Sequence, residues 1–360
     1  MERAKQKIIV VGSGIIGAMA AYELQAKGAD VLVLDAGSAR ATDASFGWIN
    51  ASFYQTPEYF ALRVEGMQAY KRLEQRIDVP VSWSGGLCWE HSGADLDAQY
   101  ESLHAQGYPC RIIGKDEIAA LEPDLGAGPE RAIHFPAEAS IESGNVTDLM
   151  LRAAQGLGAR LGRGFRVCGF SQHAGRVVGV RTDEGVFEAD QILVAAGTGT
   201  EPLLATLQIP LPMLQRPALV LRTRPVGAKI SHILATDFGE VRQLPDGRLL
   251  TPAAIGHQAD SANSLAEHPD EAAENAMGRL RELFPNLSIK LEGMQLAHRP
   301  VPQDGFPAVG AVAPGLYVAV MHSGITLAAL MGELIGQEML RGAGAKTEAW
   351  LGAFRPERFA

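Results

Sequence analysis

The period of apolar positions changes several times along the chain. Ile8-Ile9-Val10-Val11 is a short, unbroken apolar run, the pattern of a strand buried on both faces of a parallel sheet. A glycine turn follows, then helical spacing from Ile16 to Lys27, then the strand Val31-Leu32-Val33-Leu34, which stops at Asp35. Strand, turn, helix and strand in such a short stretch make a βαβ unit. The pattern then shifts. Phe60, Val64 and Met67 predict an amphipathic helix from about Glu58 to Arg76. Val79 to Trp83 and Gly86 to Trp89 predict two antiparallel strands joined at Ser84-Gly85-Gly86. A short helix is expected over Asp116 to Leu121.

Val146, Leu149, Met150, Ala153, Ala154 and Leu157 share one helical face. Strands are predicted at Phe165–Phe170, Val177–Thr182 and Gln191–Ala195, the last closed by Ala196-Gly197-Thr198-Gly199. Ala218–Arg222 and Arg248–Thr251 are further strands, and Asp270–Phe284 is a helix. Leu316–Val320 is a buried strand, after which His322-Ser323-Gly324 turns into a helix carrying Leu327, Leu330, Met331, Leu334 and Ile335. The expected class is α/β locally and α+β overall. A Rossmann-type nucleotide-binding domain (1–50, 140–200 and 299–345) is interleaved with an antiparallel-sheet substrate domain (51–139 and 201–298), and 346–360 form a tail.

With 360 residues, 47% hydrophobic and 20% charged, the chain is long enough for about two ordinary domains. A net charge of −9 without a basic block argues against a nucleic-acid partner. Cys88, Cys110 and Cys168 are odd in number and widely spaced, so no disulfide framework is expected. His91, His104, His134 and Cys88 do not fall at zinc spacings, so no metal site is expected. No run of about 20 apolar residues predicts a membrane span, and the glycine-punctuated N-terminus is unlike a signal peptide. A reducing cytoplasm is the expected compartment.

Gly12-Ser13-Gly14-Ile15-Ile16-Gly17 lies between the first strand and the first helix. In that context Gly12 allows the tight turn, Gly14 admits a pyrophosphate to the backbone, and Gly17 lets helix and strand pack closely. The helix N-terminus favours the phosphates. Asp35 can accept hydrogen bonds from an adenosine ribose, and an acid there argues against a 2′-phosphate. The ligand is therefore NAD(H) or FAD. A nicotinamide dehydrogenase completes its nucleotide domain in one stretch. Here the unit breaks off after Asp35 and resumes far downstream, the layout of FAD-binding oxidoreductases.

Three blocks carry a family resemblance: Val11 to Gly17 with Asp35; Val177 to Thr200, reading VVGVRTDEGVFEADQILVAAGTGT; and His298 to Gly332, reading HRPVPQDGFPAVGAVAPGLYVAVMHSGITLAALMG. The chain resembles the FAD-dependent D-amino-acid oxidase superfamily, in its glycine oxidase, sarcosine oxidase and D-amino-acid dehydrogenase branch. The resemblance implies that Gly12, Gly14, Ile15, Ile16, Gly17, Asp35 and Ala36 hold the adenosine diphosphate half, with Thr42 on the pyrophosphate. It implies that Ser45, Phe46 and Gly47 pass the isoalloxazine, that Val167 meets adenine, and that Ala196 and Gly197 flank the pyrophosphate. Ser323, Gly324, Ile325 and Thr326 match the turn facing the flavin pyrimidine. Arg299 matches the arginine that pairs with a substrate carboxylate, a role its planar fork suits.

No cysteine follows Cys168, so the FAD is expected to be non-covalent. Ala254 falls where sarcosine oxidase-like relatives carry a lysine that helps oxygen react, which favours a dehydrogenase. His322 and His257 are candidates to position substrate or move protons. Trp48, Phe53, Tyr54 and Tyr59 are candidates for an apolar pocket or for core packing, and Arg242 beside Pro245-Asp246-Gly247 reads as a solvated hairpin residue, with a place in the roof of the pocket as the alternative. The expected activity is oxidation of an amino acid or N-substituted amino acid to the imine, by hydride transfer from Cα to flavin N5. The alternatives are a 2-hydroxy-acid oxidoreductase, which calls for a base on the hydroxyl, and a flavoprotein subunit that passes electrons to an acceptor partner. A homo-oligomer is also compatible with the sequence.

Overall fold

A computed structural model of the chain describes residues 5–126, 128–257 and 262–360. Lys7–Val11 lies inside a six-stranded sheet, parallel to Asp30–Asp35 on one side and Gln191–Val194 on the other. The sheet runs Ala308–Ala313, Leu316–Val320, Gln191–Val194, Lys7–Val11, Asp30–Asp35, Arg160–Arg163. All neighbours are parallel except the pair Ala308–Ala313 and Leu316–Val320.

The apolar first strand is unbroken because both of its faces are covered. Ile8 and Val10 join a core with the helices Ile15–Ala26, Ser143–Gly156 and Gly324–Arg341. Ile9 and Val11 face the other way, onto Phe170, Val177 and Val180 of a small antiparallel sheet built from Val167–His173, Arg176–Thr182 and Gly185–Glu188. Successive side chains of a strand point to opposite faces, so each residue here needs an apolar partner.

The second large sheet has eight strands, in the order Leu291–His298, Pro217–Thr223, Leu249–Pro252, Gly239–Gln243, Ile233–Thr236, Gly86–Trp89, Arg131–Phe135, Arg111–Gly114. The helix Pro269–Leu283 covers one face, packing Ala276, Met277 and Leu280 against Leu219, Leu221 and Val241. This sheet is mixed: Gly86–Trp89 runs parallel to Ile233–Thr236, a join that unites two distant stretches of chain.

The sequence pattern erred at Val79–Trp83, which forms no strand and contributes a single bridge, Ser82 to Ser140. Pro80 has no amide to give a ladder. Gly85, at φ +77°, turns the chain so that its amide meets the Glu138 carbonyl. Gly86–Trp89 instead pairs with Arg131–Phe135. The helix Gly93–Ala105 was not foreseen because it buries only Leu96 and Leu103. Residues 345–359 are not extended: Ala345–Leu351 is helical, and Arg355 reaches back to Glu338 at 2.6 Å.

Candidate functional site

A cleft of about 900 Å³ opens at the C-terminal ends of the parallel strands, where Val11, Leu34, Ala195 and Val320 line it. This is where open α/β sheets bind ligands. The glycine turn forms its floor. Gly12 has φ +105°, and a Cβ there would lie 2.4 Å from the Ala195 carbonyl oxygen. A Cβ on Gly17 would lie 2.0 Å from the Gly12 oxygen, so helix and turn could not close. A Cβ on Gly14 would meet nothing nearer than Thr42 Oγ1 at 3.4 Å, so that backbone faces open space. The three glycines thus answer three different demands, two internal and one toward a ligand.

Asp35 accepts from the Ser13 amide through Oδ2 and from the Gly37 amide through Oδ1, both at 2.8 Å. Its carboxylate is fixed beside the turn, where a ribose would meet it. Thr42 Oγ1 accepts from the Ile15 amide at 3.2 Å and hangs over the helix N-terminus. The sequence reading missed Arg40, which binds Asp43 at 2.9 Å and Asp148 at 3.0 Å and also lines the cleft. A pyrophosphate fits this floor: open backbone, a helix start, a hydroxyl and a guanidinium.

Every residue named above for the cofactor lines this cleft except Gly17, which packs beneath it. Ile16, Ala36, Ser45, Phe46, Val167, Ala196, Gly197, Ser323, Gly324, Ile325 and Thr326 are all on its wall. The turn Ser323–Thr326 is held from behind. Tyr70 donates to the Ile325 carbonyl at 2.7 Å, and Thr326 Oγ1 ties Trp48 to Asn50. Gly66 permits this, since a Cβ there would stand 2.7 Å from the Thr326 oxygen.

Arg242 departs from the expectation of a solvated hairpin. It is 4% exposed, and burial lowers its pKa to about 10. It donates to the Phe46 and Ile141 carbonyls and lies over the Phe46 ring, clamping the loop Ser45–Gly47 against residue 141. Hairpin sequence alone gave no sign of this, because strand alternation decides which way residue 242 points.

A second cavity, of about 870 Å³, adjoins the cleft. Phe53, Tyr54 and Tyr59 line it, while Trp48 lies on the cleft side. Five residues line both spaces: Arg63, His257, Arg299, His322 and Ser323. All three residues read as catalytic from sequence therefore meet at one junction, and Arg63 and Ser323 join them.

At the junction Arg299 Nη1 donates to His322 Nε2 at 3.3 Å, so His322 carries its proton on Nδ1. Burial, then Arg299, His257 and Arg63, push the His322 pKa down to about 3. The imidazole is neutral and serves as an acceptor that aims the guanidinium. His257 pairs through Nδ1 with Glu240, and its amide donates to Glu90 at 2.9 Å. Its ring stacks on Phe53 at 4.0 Å and meets the edge of Trp48 at 5.5 Å. Neither Glu90 nor Glu240 stood out in the sequence, since each reads as an ordinary polar position next to a strand.

A model of the family described as FAD dependent oxidoreductase matches residues 7–338. Glycine oxidase of Pseudomonas aeruginosa is 30% identical, over 90% of this chain and 92% of its own length. A D-amino acid dehydrogenase of Cereibacter sphaeroides is 25% identical, over 90% and 89%. The crystal structure of glycine oxidase from Geobacillus kaustophilus superposes with a TM-score of 0.85 at 21% identity, covering 99% of this chain and all of that one.

Proposed function

The chain belongs to the FAD-dependent oxidoreductase family, and from that premise we propose that it oxidises an amino acid or N-substituted amino acid to the imine. The observation that carries this reading is the junction, where Arg299 reaches both the nucleotide cleft and the second cavity. Relatives named for glycine oxidation and D-amino acid dehydrogenation support it.

Arg299 binds the substrate carboxylate with a guanidinium fork that His322 aims. His322 stays neutral, so it adds no repulsion to the adjacent cation and takes no proton at neutral pH. Glu240 holds the His257 proton on Nδ1, which leaves Nε2 as the accepting nitrogen of that ring. His257 removes the proton that an ammonium substrate must lose before its lone pair can assist oxidation. Phe53 and Tyr59 exclude water around the reacting carbon. The bound FAD supplies the hydride acceptor, held without a covalent link.

Ala254 lines the cleft and offers no cation to an oxygen molecule, which favours a dehydrogenase over an efficient oxidase. One other reading has a specific observation behind it. The same His257–Glu240 pair suits removal of a hydroxyl proton, as a 2-hydroxy acid requires. Anaerobic bleaching of the flavin against D-amino acids, N-methyl amino acids, hydroxyprolines and 2-hydroxy acids decides between them. Bleaching by an amine-bearing acid that Arg299→Ala slows about a hundredfold is the expected result. Bleaching by hydroxy acids alone would transfer the assignment to them.

A further inference from the structure

Arg63 is buried to 2% exposure on the helix Pro57–Glu74, yet it lines the second cavity and the cleft alike. Nε donates to the Asn50 carbonyl at 3.1 Å, Nη1 to Ser323 Oγ at 3.2 Å, and Nη2 to Asn50 Oδ1. Those are three of the five N–H groups of a guanidinium, and every acceptor is neutral. The Tyr59 ring lies 5.6 Å from its carbon. Arg63 makes no ion pair with the described residues. The nearby buried acid, Glu138, is instead held by Trp48 and Tyr108, each at 2.8 Å. Arg242, buried to 4% exposure, also has neutral acceptors, but they are backbone carbonyls inside the fold and it lines neither space, whereas Arg63 lines both.

Burying a cation with only neutral partners is costly, and one that lines a cavity can be matched by an anionic ligand. The surroundings say what kind. Arg63, Arg216 and Arg299 line the second cavity, and among its described lining residues the carboxylate is Asp95. Arg299 binds His322 while Arg63 binds Ser323, so the two guanidinium groups flank one dipeptide. A substrate with one carboxylate would satisfy Arg299 and leave Arg63 unmatched. The cavity, at about 870 Å³, has room for more than the smallest amino acid.

We propose that Arg63 is a second carboxylate-binding arginine, and that the substrates are compact amino acids carrying two carboxylates, one on Arg299 and one on Arg63. The inference rests on the amino-acid reading above and narrows it to a substrate class.

The test uses purified holoenzyme and matched unreactive acids: thiodiacetate against methylthioacetate, and succinate against propionate. Binding is read from the change in flavin absorbance. In at least one pair the diacid should bind about a hundredfold more tightly, the factor expected for one charge-assisted pair. Arg63→Met should abolish that preference and Arg63→Lys should restore part of it, whereas Arg299→Met should weaken both members of the pair. Equal affinities within both pairs in the wild type would overturn the proposal. So would an Arg63→Met variant that keeps the preference, or one that keeps it while its flavin potential falls, which would assign Arg63 to the cofactor. If Arg63→Met does not fold, the wild-type preference and its response to Arg63→Lys decide. If Arg299→Met alters neither acid, the amino-acid reading fails, and the Arg63 ratio still reports the diacid site on its own.

Discussion

Replacing Arg242 by methionine separates what holds the fold from what holds the cofactor loop. The side chain makes two hydrogen bonds to carbonyls, at Phe46 and Ile141, each worth about 1.5–3 kcal/mol for a charged donor. Burial opposes them. The fall from 12.5 to about 10 means that the charged form is disfavoured by roughly 3 kcal/mol at this site. The gain and the penalty are of similar size, so removing the whole group should change global stability by only about 1–3 kcal/mol, or a few degrees of melting temperature. Methionine fills much of the space with an adaptable apolar chain. The local consequence is larger. Phe46 and Gly47 lose the clamp that fixes them on the cleft wall, and FAD should dissociate about tenfold to a hundredfold more readily. Thermal melts of the stripped protein give the first quantity, and fluorescence titration with FAD gives the second. A melting temperature lower by more than about 10 degrees with unchanged FAD affinity would refute the reasoning and make Arg242 a core element.

Three further outcomes are expected. Asp35→Ala should weaken FAD binding about tenfold or more and leave the ranking of substrates unchanged; unchanged FAD affinity would reduce Asp35 to a brace for Ser13 and Gly37. Glu138, held by Trp48 and Tyr108 at 2.8 Å, has a folded pKa of about 7 against the ordinary 4.5. Its contribution is full below pH 4.5 and is lost as pH rises through 7, so the stability of the wild type relative to Glu138→Gln should fall by roughly 3 kcal/mol between pH 4.5 and 8; parallel urea-melt curves would contradict this. Ala254→Lys should speed reoxidation of the reduced protein by oxygen, read by stopped flow, and wild-type reoxidation as fast as turnover with a dye would contradict the dehydrogenase reading.

What the sequence made legible was what short-range pattern encodes. The βαβ unit could be read because its apolar run and its glycine spacing are local. The last block could be read because Arg299, His322 and Ser323–Thr326 lie within one stretch of chain. Gly86–Trp89 is the strand expected, but its pairing was misassigned because its partners, Arg131–Phe135 and Ile233–Thr236, are far away in sequence and nothing local specifies a register with them. The charged edge strand Arg160–Arg163 was missed because an edge strand need not be apolar. Arg63 was missed for a subtler reason. On a helix with several charged positions it looks like one more solvated residue, and only packing shows that its face meets the Ser323 turn.

That packing also explains why the junction needs so many separate segments. Arg63 comes from the helix Pro57–Glu74, His257 from the stretch after the strand Leu249–Pro252, and Arg299, His322 and Ser323 from the stretch that leads into the helix Gly324–Arg341. Four charged or titratable groups crowd one spot, and the field of Arg299 and Arg63 reaches His322. Protonating His322 would add a third cation, which burial and its neighbours forbid. A neutral His322 therefore adds no further positive charge beside the two arginines that line the second cavity. It accepts from one guanidinium while the adjacent serine accepts from the other. The interleaving of the two sheets along the chain is what delivers these residues to a single boundary, because a helix and a loop of the larger sheet's half must meet a turn of the nucleotide half there.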